Sequence, residues 1–595
     1  MASGVSVSLE TVEWHEGEKK MHMLLRVPEQ RNPVTPFLAP GAGTLVHRAP
    51  LLALGCLDKD GRPWTTLWGG ERGFARPVGG EAMAVSASVD REHDPVLRAL
   101  LGDRGVNEVV QHEEKGPILS GLAIDLERRN RVKLFGRMKA GGTTNEGVGG
   151  FLFEIEGSLG NCPKYINKKA IEPCKPDPQL VSESSQLCPE ALELLETADM
   201  FFISTSNGQS DMDTNIRGGS PGFCRLLSNE SSGAVVVYPE YSGNRLYQTL
   251  GNLQTTPKAG LCVPDFDTGD VLFLTGGTEV LMGSEAAALL PHSNVAVKIL
   301  VTSAWFVRGG LPFRGIPGER SPYNPPVRHT VFERPDSIEK SESDEISLVA
   351  VERITPTISR YTFRTEDPVQ VWKPGQHAVL DFADYLDQGY KHMCDDDPLS
   401  VNDDYIRTFT ISSHPPSETG TPEFDLTIRN VGRVTDFLSR RNPQDGFKLN
   451  LRGFGGSFFL SESDAGIVYV AAGIGITPLL SQLPSLMSRT LHLFWSVRIC
   501  DIELINHVFD RFPQLKQSTT LFITGENSTE TNYQPMVESL SQSTIKVERR
   551  RITEHDLTGL TNKNLNWYLC VAPQMKSHLL NWLSSENVIH EDFGY

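Results

Sequence analysis

A glycine-rich turn near the end of the chain has the first residue types suited to binding chemistry. In YVAAGIGITPLLSQL, Tyr469–Leu483, an apolar strand runs into Gly473 and Gly475 and then into Thr477 and Pro478. Glycine in such a turn lets a ligand phosphate come close to the backbone. A short Gly-x-Gly also ends many buried strands, so the turn alone leaves both interpretations open.

The heptad RTFTISS, Arg407–Ser413, is a second candidate. Alternation along a strand puts the hydroxyls of Thr408 and Thr410 on one face, away from Phe409. Arg407 offers a planar fork to a pyrophosphate, and the Thr410 hydroxyl can donate to a ring nitrogen. The alternative is an ordinary barrel strand that carries a solvated arginine.

A third candidate, RNVGRVTDFLS, places Gly432 and Thr435 where a helix begins. The amide groups of a helix start, with the positive end of the helix dipole, suit a phosphate. A plain N-cap by Thr435 explains the same letters.

The surrounding elements can position these residues. Residues 347–460 give short alternating strands with Gly and Pro turns, which predicts a small antiparallel barrel. Residues 466–595 alternate strands with helices, which predicts a doubly wound parallel sheet. The stretch Pro312–Ile346 is rich in Pro, Ser and charge and predicts a linker.

The first half contains an internal repeat. Ala49–Phe74 aligns without gaps to Ala198–Phe223, and both copies carry Gly-Gly followed by Gly-Phe. A second pair, Gly121–Gly136 and Gly260–Gly276, has hairpin character in both copies. A helix is expected from Pro189 to Glu196 in the connector. We therefore predict two β-barrels in tandem.

Composition excludes several classes of function. A formal net charge of -18 argues against a general nucleic-acid or anionic-membrane partner. The nine cysteines form no C-x2-C pair, so neither a zinc site nor an iron–sulfur cluster is expected, and no metal is assigned. The first residues have no apolar core, which favours a reducing, cytoplasmic location and no membrane association.

The order of motifs in residues 345–595 resembles the ferredoxin–NADP reductase family. The matching motifs are Pro374–Gln376, Arg407–Thr410, Gly432–Thr435, Gly453–Gly455 and Gly473–Pro478. The resemblance implies that the barrel binds FAD, that the parallel domain binds NAD(P)H, and that hydride passes to flavin N5 beside Thr410. It assigns flavin contacts to Arg407, Thr408, Phe409, Thr410, Gly432, Arg433, Val434 and Thr435. It assigns nicotinamide-nucleotide contacts to Gly473, Ile474, Gly475, Thr477, Pro478 and Arg498, the last near a ribose or 2′-phosphate.

The C-terminal region departs from that pattern. The family carries Cys-Gly-Pro, whereas this chain has Cys570 followed by Val571, Ala572 and Pro573. The resemblance makes Cys570 and Glu591 catalytic candidates, with a buried structural thiol as the alternative for Cys570. It implies that Tyr595 stacks on the flavin, with simple packing as the alternative.

The first half resembles the pyridoxamine 5′-phosphate oxidase-like split barrels, whose members often bind FMN. The matches include ADMFFIST, RGGSPGF and YSGNRLYQTLGNL. If an FMN phosphate binds, Arg217 and Lys258 are the preferred cations. Trp68 replaces the corresponding arginine in the first copy, and the histidine usual before Arg217 is missing. The alternative is a barrel pair that binds no cofactor.

The predicted chain is therefore multidomain, β and α/β. We expect two split β-barrels in tandem, an antiparallel flavin-binding barrel and a doubly wound parallel nucleotide domain. The expected boundaries are an arm at 1–44, barrel copies at 45–165 and 197–311 around a connector at 166–196, a linker at 312–346, the flavin barrel at 347–461 and the nucleotide domain at 462–595.

The expected function is that of an NAD(P)H-dependent flavoprotein oxidoreductase. FAD and NAD(P)H are the expected cofactors, with FMN as a further candidate, and the partner is a small-molecule substrate or electron acceptor. Two alternatives stay open: a single-flavin reductase with a non-catalytic docking or dimerisation platform, and a non-catalytic nucleotide sensor. Because the duplication can satisfy the pseudo-symmetry of a split-barrel dimer, the chain is expected to be a monomer or a homodimer.

Overall fold

The computed structural model describes residues 12–160, 164–208, 211–333, 344–365, 372–415, 423–461, 465–486, 489–525, 534–541, 545–561, 563 and 565–591. The chain divides into two compact units. The first consists of Met1–Arg334 and Tyr390–Asp403, and the second of Pro335–Gly389 and Asp404–Tyr595.

The first unit is mainly β-structure. Its helices are α1 Glu16–Leu24, α2 Pro40–Arg48, α3 Pro95–Leu101, α4 Pro189–Thr197, α5 Gln248–Thr255 and α6 Ser284–Leu289. Its strands are β1 Leu51–Leu57, β2 Pro63–Gly69, β3 Ala75–Val78, β4 Ala82–Ser88, β5 Val110–Gln111, β6 Ile118–Asp125, β7 Asn130–Thr143, β8 Val148–Gly160, β9 Lys169–Pro173, β10 Gln179–Glu183, β11 Met200–Ser206, β12 Met212–Gly218, β13 Arg225–Glu230, β14 Gly233–Pro239, β15 Lys258–Pro264, β16 Val271–Met282, β17 Val295–Arg308 and β18 Phe313–Pro317.

The two large sheets of this unit have the same strand order. One runs β2-β1-β6-β7-β8-β4-β3 and the other β12-β11-β15-β16-β17-β14-β13. When β5 and β10, which pair with β7 and β17 outside these paths, are left out of the numbering, the two orders are identical. The aligned sequence segments form the corresponding hairpins, β1–β2 with β11–β12 and β6–β7 with β15–β16.

Buried hydroxyls join the two copies. Thr65 Oγ1 donates to the carbonyl oxygen of Gly260 at 2.7 Å and lies 2.7 Å from Ser204 Oγ. Thr214, at the aligned position in the second copy, bonds Ser120 Oγ across the same junction at 2.6 Å. Equivalent threonines therefore bond the opposite copy, as a pseudo-two-fold arrangement requires.

Segments predicted as connector and linker are partly structured. β9, within the connector, pairs with β18, within the linker. Ser220 Oγ also donates to the carbonyl oxygen of Pro325 at 2.7 Å, so the linker continues to pack on the first unit. The linker has the composition of a loop, but part of it forms β18 because its backbone pairs with β9, which is distant in sequence. Residues 334–343 lie outside the described residues. The helix expected from Pro189 is α4.

The second unit contains two sheets. Its helices are α7 Ala383–Leu386, α8 Arg433–Ser439, α9 Thr477–Gln482, α10 Ile502–Arg511, α11 Gln534–Ser541, α12 Glu554–Thr558 and α13 Pro573–Trp582. Its strands are β19 Asp344–Arg353, β20 Ile358–Thr365, β21 His377–Asp381, β22 Ile406–Thr410, β23 Glu423–Arg429, β24 Lys448–Gly455, β25 Gly466–Ala472, β26 Leu491–Arg498, β27 Thr519–Thr524, β28 Lys546–Glu548, β29 Leu565–Cys570 and β30 Val588–His590.

The first of these sheets is antiparallel, with strand order β22-β21-β24-β19-β20-β23. A bridge between Ile411, just after β22, and Leu426 of β23 connects its two outer strands. The sheet therefore closes on itself around an apolar core that includes Phe363, Leu380 and Leu449.

The second sheet is parallel, with order β28-β27-β26-β25-β29-β30. The chain builds outward from β25 to β28 on one side and then returns to add β29 and β30 on the other. Its helices bury an apolar face, as α10 does with Ile502, Ile505, Val508 and Phe509 at helical spacing. Among the described residues, no helix has the length and apolar character needed to cross a bilayer.

Candidate functional site

The glycine-rich turn lies at the topological switch point of the parallel sheet. β25 has β26 on one side and β29 on the other, and the strand order reverses between them. In open α/β sheets the crevice at the carboxyl ends of such strands is where ligands bind. Gly473 follows β25 directly, with a φ of +53° that favours glycine, and the chain then enters α9.

Gly475 presses against the end of β29. A Cβ on this residue would lie 2.0 Å from the carbonyl oxygen of Cys570, so the position accepts only glycine without movement of the backbone. Tyr469 Oη donates to the carbonyl oxygen of Gly475 at 3.1 Å, and Trp495 Nε1 donates to that of Gly473 at 2.9 Å. Both donors are fully buried aromatic residues, so hydrogen bonds from two core side chains fix the backbone of the turn.

The two ends of this turn differ in access. Gly473 and Ile474 are half-buried, whereas Gly475, Thr477 and Pro478 are buried. Of the five turn residues expected to meet the nicotinamide nucleotide, the first two are half-buried, and the other three are buried at or just before the start of α9.

Cys570 is a buried thiol. Its side chain is 0% exposed, and burial raises its pKa well above the usual value, with the charge of Glu591 acting in the same direction. The thiol is therefore neutral at physiological pH, which favours the packing alternative. Glu591 continues the pairing beside β29, where its amide donates to the carbonyl oxygen of Leu569 at 3.0 Å. Tyr595 lies outside the described residues.

The candidate flavin strand is β22. Thr408 is exposed, Arg407 and Thr410 are half-buried, and Phe409 packs against the barrel core. Arg407 Nη1 donates to the carbonyl oxygen of Ile406 at 2.9 Å. The strand therefore has one exposed and two half-buried polar side chains, and Arg407 Nη1 also lies 4.0 Å from Asp404 Oδ1.

The start of α8 is closed by its own threonine. Thr435 Oγ1 accepts the N–H groups of Val431 and Gly432 at 2.9 and 3.0 Å. The N-cap residue is Gly432 and Thr435 lies at the third helical position, so the expected N-cap by Thr435 is not what the structure shows. A phosphate at this helix would therefore meet the amides of Arg433 and Val434 instead. The Arg433 guanidinium bonds Tyr405 Oη at 3.1 Å, and the Val434 side chain is buried.

Arg429 and Asp501 form an ion pair that the sequence analysis missed. Arg429 ends β23 of the barrel, and its Nη2 lies 2.8 Å from Oδ2 of Asp501, which precedes α10 of the parallel sheet and is 1% exposed. A Cβ on Gly473 would lie 3.1 Å from the same guanidinium. The barrel and the parallel sheet thus meet beside the glycine turn. Long separation in sequence hid this pair.

Arg498 is the carboxyl-terminal residue of β26. Its side chain is exposed and has no hydrogen-bonding or ionic partner within the part of the chain that the structure describes. An unpaired guanidinium at this edge suits a phosphate or ribose group.

The first unit contains a cavity of about 80 Å³ with a basic lining. Five basic residues and one acidic residue line it: Arg131, Lys133, Lys164, Arg217, Arg245 and Glu240. Arg131 and Lys133 come from β7 of the first copy, and Arg217 from β12 of the second. Residues 240–247, between β14 and α5, form one wall and are called the cavity loop below.

One cavity residue has a buried hydroxyl without a hydrogen-bond partner among the described residues. Tyr241 is 7% exposed, and its Oη has no hydrogen-bond partner in the structure as described. Burial raises the pKa of Tyr241 to about 12, so the hydroxyl keeps its proton. A buried donor among several cations fits an anionic oxygen.

Arg217 lines this cavity and Lys258 does not. Arg217 Nε donates to Glu240 Oε2 at 2.8 Å, and although burial opposes it, that carboxylate raises the pKa of Arg217. Lys258 is exposed at the start of β15. The structure therefore does not bring the two expected phosphate ligands together at the cavity. A cavity of this size fits a phosphate group, whereas sites for whole ligands occupy roughly 300 Å³ or more.

The equivalent place in the duplicate is filled. Trp68 aligns with Arg217, donates to Asp94 Oδ2 at 2.7 Å and stacks on Phe151 at 4.9 Å between ring centroids. By strand register, buried Val271 and Phe273 of β16 correspond to Arg131 and Lys133 of β7. The pseudo-symmetric counterpart of the basic cavity is therefore apolar.

Sequence reasoning missed most of the basic lining. A signal for β7 was present, because Arg131 and Lys133 stand two residues apart and so share one face of a strand. Lys133 is 2% exposed and pairs with Asp213, and burial lowers its pKa. Nothing in the local pattern indicated that Lys164 and Arg245 would join them.

Comparisons with known proteins give partial matches. No family model matches this chain. One component of the Na(+)-translocating NADH-quinone reductase of Neisseria gonorrhoeae is 21% identical over 33% of this chain and 50% of its own length. The anthranilate 1,2-dioxygenase electron transfer component of Acinetobacter baylyi is 24% identical over 36% of this chain and 54% of its own length. The chain thus spans about half the length of these relatives.

A solved structure, the flavohem-like FAD/NAD binding domain of nitric oxide dioxygenase from Vibrio cholerae, matches with a TM-score of 0.31 and 16% identity. It covers 43% of this chain and 100% of its own. Because this TM-score is low, the match supports no conclusion about the fold, which is described from the strands of this chain alone. Over about a third of this chain, the names of these relatives agree with the predicted class of electron-transfer oxidoreductase.

Proposed function

We propose that this chain is an NAD(P)H-dependent flavoprotein oxidoreductase, with FAD on the antiparallel barrel and the nicotinamide nucleotide at the switch point of the parallel sheet. One observation carries the proposal. The accessible arginine strand β22 and the glycine turn after β25 belong to one compact unit, in which Arg429 and Asp501 join the two sheets.

The proposed role of each residue follows from its exposure to solvent. Arg407 holds flavin phosphates, and Thr408 and Thr410 present hydroxyls on the same strand. Gly473 and Ile474 admit the nucleotide at the open end of the turn, and Arg498 supplies a cation for its ribose or phosphate. Bound FAD would accept a hydride from the reduced nicotinamide and release the electrons to an acceptor.

Cys570 and Glu591 receive positioning roles in this proposal. The carbonyl oxygen of Cys570 lies against Gly475 and so sets the depth of the turn. Glu591 follows β30 and extends the pairing of that strand with β29. Neither assignment requires a proton transfer from the buried thiol.

A second ligand site is proposed in the first unit. The basic cavity, with the unpaired Tyr241 hydroxyl, supports the binding of one phosphate-bearing ligand, and the split-barrel resemblance points to FMN. The filled counterpart at Trp68 supports one such site and not two. If the cavity binds no cofactor, the first unit serves as the docking platform of the single-flavin alternative.

Flavin content tests the oxidoreductase proposal. We expect the purified full-length chain to release FAD and its bound flavin to bleach when mixed with NADPH or NADH under anaerobic stopped-flow conditions. Arg407→Ala should lose most of the FAD. Arg364→Ala, which removes an exposed arginine from β20 of the same barrel, is the matched control. A chain that holds FAD but never bleaches would support the nucleotide sensor instead.

A further inference from the structure

A segment inserted in the flavin barrel belongs to the first unit. Tyr390–Asp403, called the inserted segment below, lies in sequence between β21 and β22, yet it clusters with the first unit while Gly389 and Asp404 on either side belong to the second. Its sequence contains three consecutive aspartates, Asp395 to Asp397, a pattern typical of an exposed loop. The structure instead packs it on the cavity loop.

Two side chains of the inserted segment hold the cavity loop directly. Tyr390 Oη donates to the carbonyl oxygen of Gly243 at 2.7 Å, and the Arg245 guanidinium lies 3.5 Å from the centroid of the Tyr390 ring. Asn402 Oδ1 accepts the Ser242 N–H at 2.9 Å. These contacts fix two consecutive backbone positions and one cavity cation.

The same segment is bonded to the cavity floor. Lys164 Nζ donates to the carbonyl oxygens of Ser242 and His392, at 2.7 and 2.5 Å. Tyr165 Oη donates to the Ser242 carbonyl oxygen at 2.7 Å and accepts from Asn402 Nδ2 at 2.9 Å. The cavity loop and the inserted segment thus share partners that themselves line the cavity.

Two residues of the cavity loop adopt a backbone conformation that is unfavourable for residues other than glycine. Arg245 and Tyr247 adopt left-handed conformations, with φ of 59° and 55°. Residues other than glycine rarely keep this conformation unless surrounding contacts stabilise it. The inserted segment adds to the bonds that His22 and Gln30 make with the Arg245 carbonyl oxygen, both at 3.1 Å.

We propose that the inserted segment is a positioning element for the basic cavity: Tyr390 and Asn402 hold the cavity loop so that Arg245 and Tyr241 can receive a phosphate monoester. This rests on the proposed ligand site of the first unit and goes beyond it. A segment that lies in sequence between β21 and β22 thereby positions a loop within the first unit.

Equilibrium dialysis of the FAD-saturated full-length chain tests this. Two probes, FMN and inorganic phosphate, distinguish a nucleotide from a free anion, and FMN is separated from FAD by chromatography. Tyr390→Phe removes the hydroxyl and keeps the ring, Tyr390→Leu removes both, and Asn402→Ala removes the other clamp. Tyr385→Phe is the control, because that exposed tyrosine makes a similar 2.7 Å bond to the Lys448 carbonyl oxygen in the second unit.

We expect Tyr390→Leu and Asn402→Ala to raise the Kd of the bound probe about tenfold. Tyr390→Phe should raise the Kd by a smaller factor, and Tyr385→Phe should have the Kd of the parent chain. Reduction of ferricyanide by NADPH should be equal in all of them, which separates this inference from the reductase proposal. Unchanged Kd values in Tyr390→Leu and Asn402→Ala, or no binding of either probe by the parent chain, would overturn it.

Discussion

Gly475 and Cys570 meet so closely that a methyl group between them would stand 2.0 Å from a carbonyl oxygen. The contact joins the turn after β25 to the end of β29, the two strands that flank the switch point of the parallel sheet. Glycine there is a requirement of packing, since no left-handed backbone conformation is involved at this residue.

Gly475→Ala should destabilise the second unit by roughly 1–3 kcal/mol, because the added methyl must displace backbone. The displaced turn should also raise the KM for NADPH. Urea denaturation and steady-state kinetics measure both effects. Gly559→Ala is the control, since a Cβ there meets nothing within 4 Å. Equal stability of the two variants would contradict the packing argument.

Cys570 should resist alkylation in the native chain. Its thiol is buried and its pKa is raised by burial, so thiolate is scarce, whereas Cys500 is exposed. Peptide mapping after a short treatment with iodoacetamide at pH 8 should find Cys500 modified and Cys570 intact. Cys570→Ala should keep flavin reduction near the parent rate. A large loss of that rate without a loss of stability would restore the catalytic assignment.

Asp501→Asn should cost the second unit roughly 2–4 kcal/mol, because it leaves Arg429 beside a buried group that no longer carries charge. A double-mutant cycle with Arg429→Met isolates the pair, and the coupling should be about 1–3 kcal/mol. The exposed pair Arg364 and Glu423 in the same barrel is the comparison, with an expected coupling below about 1 kcal/mol. Similar couplings for both pairs would remove the special role of Asp501.

Stability of the first unit should fall as the pH rises from about 4.5 to about 7, owing to Glu18. Burial raises the pKa of this α1 carboxyl to about 7 from 4.5, with Asp211 and Asp213 adding to the effect and the His15 amide and Lys133 opposing it. The folded chain therefore holds the proton that the unfolded chain releases. The stabilisation is complete below about pH 4.5 and is lost through pH 7.

Glu18→Gln should reduce that dependence by about 3 kcal/mol. Asp94 and Asp211, whose pKa burial raises to about 6 in each case, should retain the remainder. Urea denaturation of the parent chain and the variant at several pH values between 4.5 and 8 measures the difference. Glu13→Gln, at a largely exposed carboxylate, should follow the parent chain. A parallel pair of curves for Glu18→Gln and the parent chain would disprove the assignment.

The first unit should bind one phosphate-bearing ligand per chain and not two. Arg217→Met should abolish binding of FMN to the FAD-saturated chain, because it removes a cavity cation. Trp68→Phe should leave the FMN stoichiometry unchanged, because that position belongs to the filled counterpart. Dialysis with chromatographic separation of the flavins gives the count. Two FMN per chain, or loss of FMN on Trp68→Phe, would contradict the filled counterpart.

The sequence by itself determined the parts whose signal is local. Alternation along strands predicted the antiparallel barrel region, and alternation of strands with helices predicted the parallel one. The gapless alignment of Ala49–Phe74 with Ala198–Phe223 predicted a duplication, and the two sheets share one strand order. Each of these depends on neighbours within a few residues.

Only the tertiary structure decided which distant residues meet. It set Gly475 against Cys570, paired Arg429 with Asp501, and placed the inserted segment in the first unit. It also gathered Arg131, Lys133, Lys164, Arg217 and Arg245 around one cavity while leaving Lys258 outside. From its neighbours in sequence alone, a charged side chain is expected to be solvated. Its burial and its partner depend on chain folding that brings together residues tens to hundreds of positions apart.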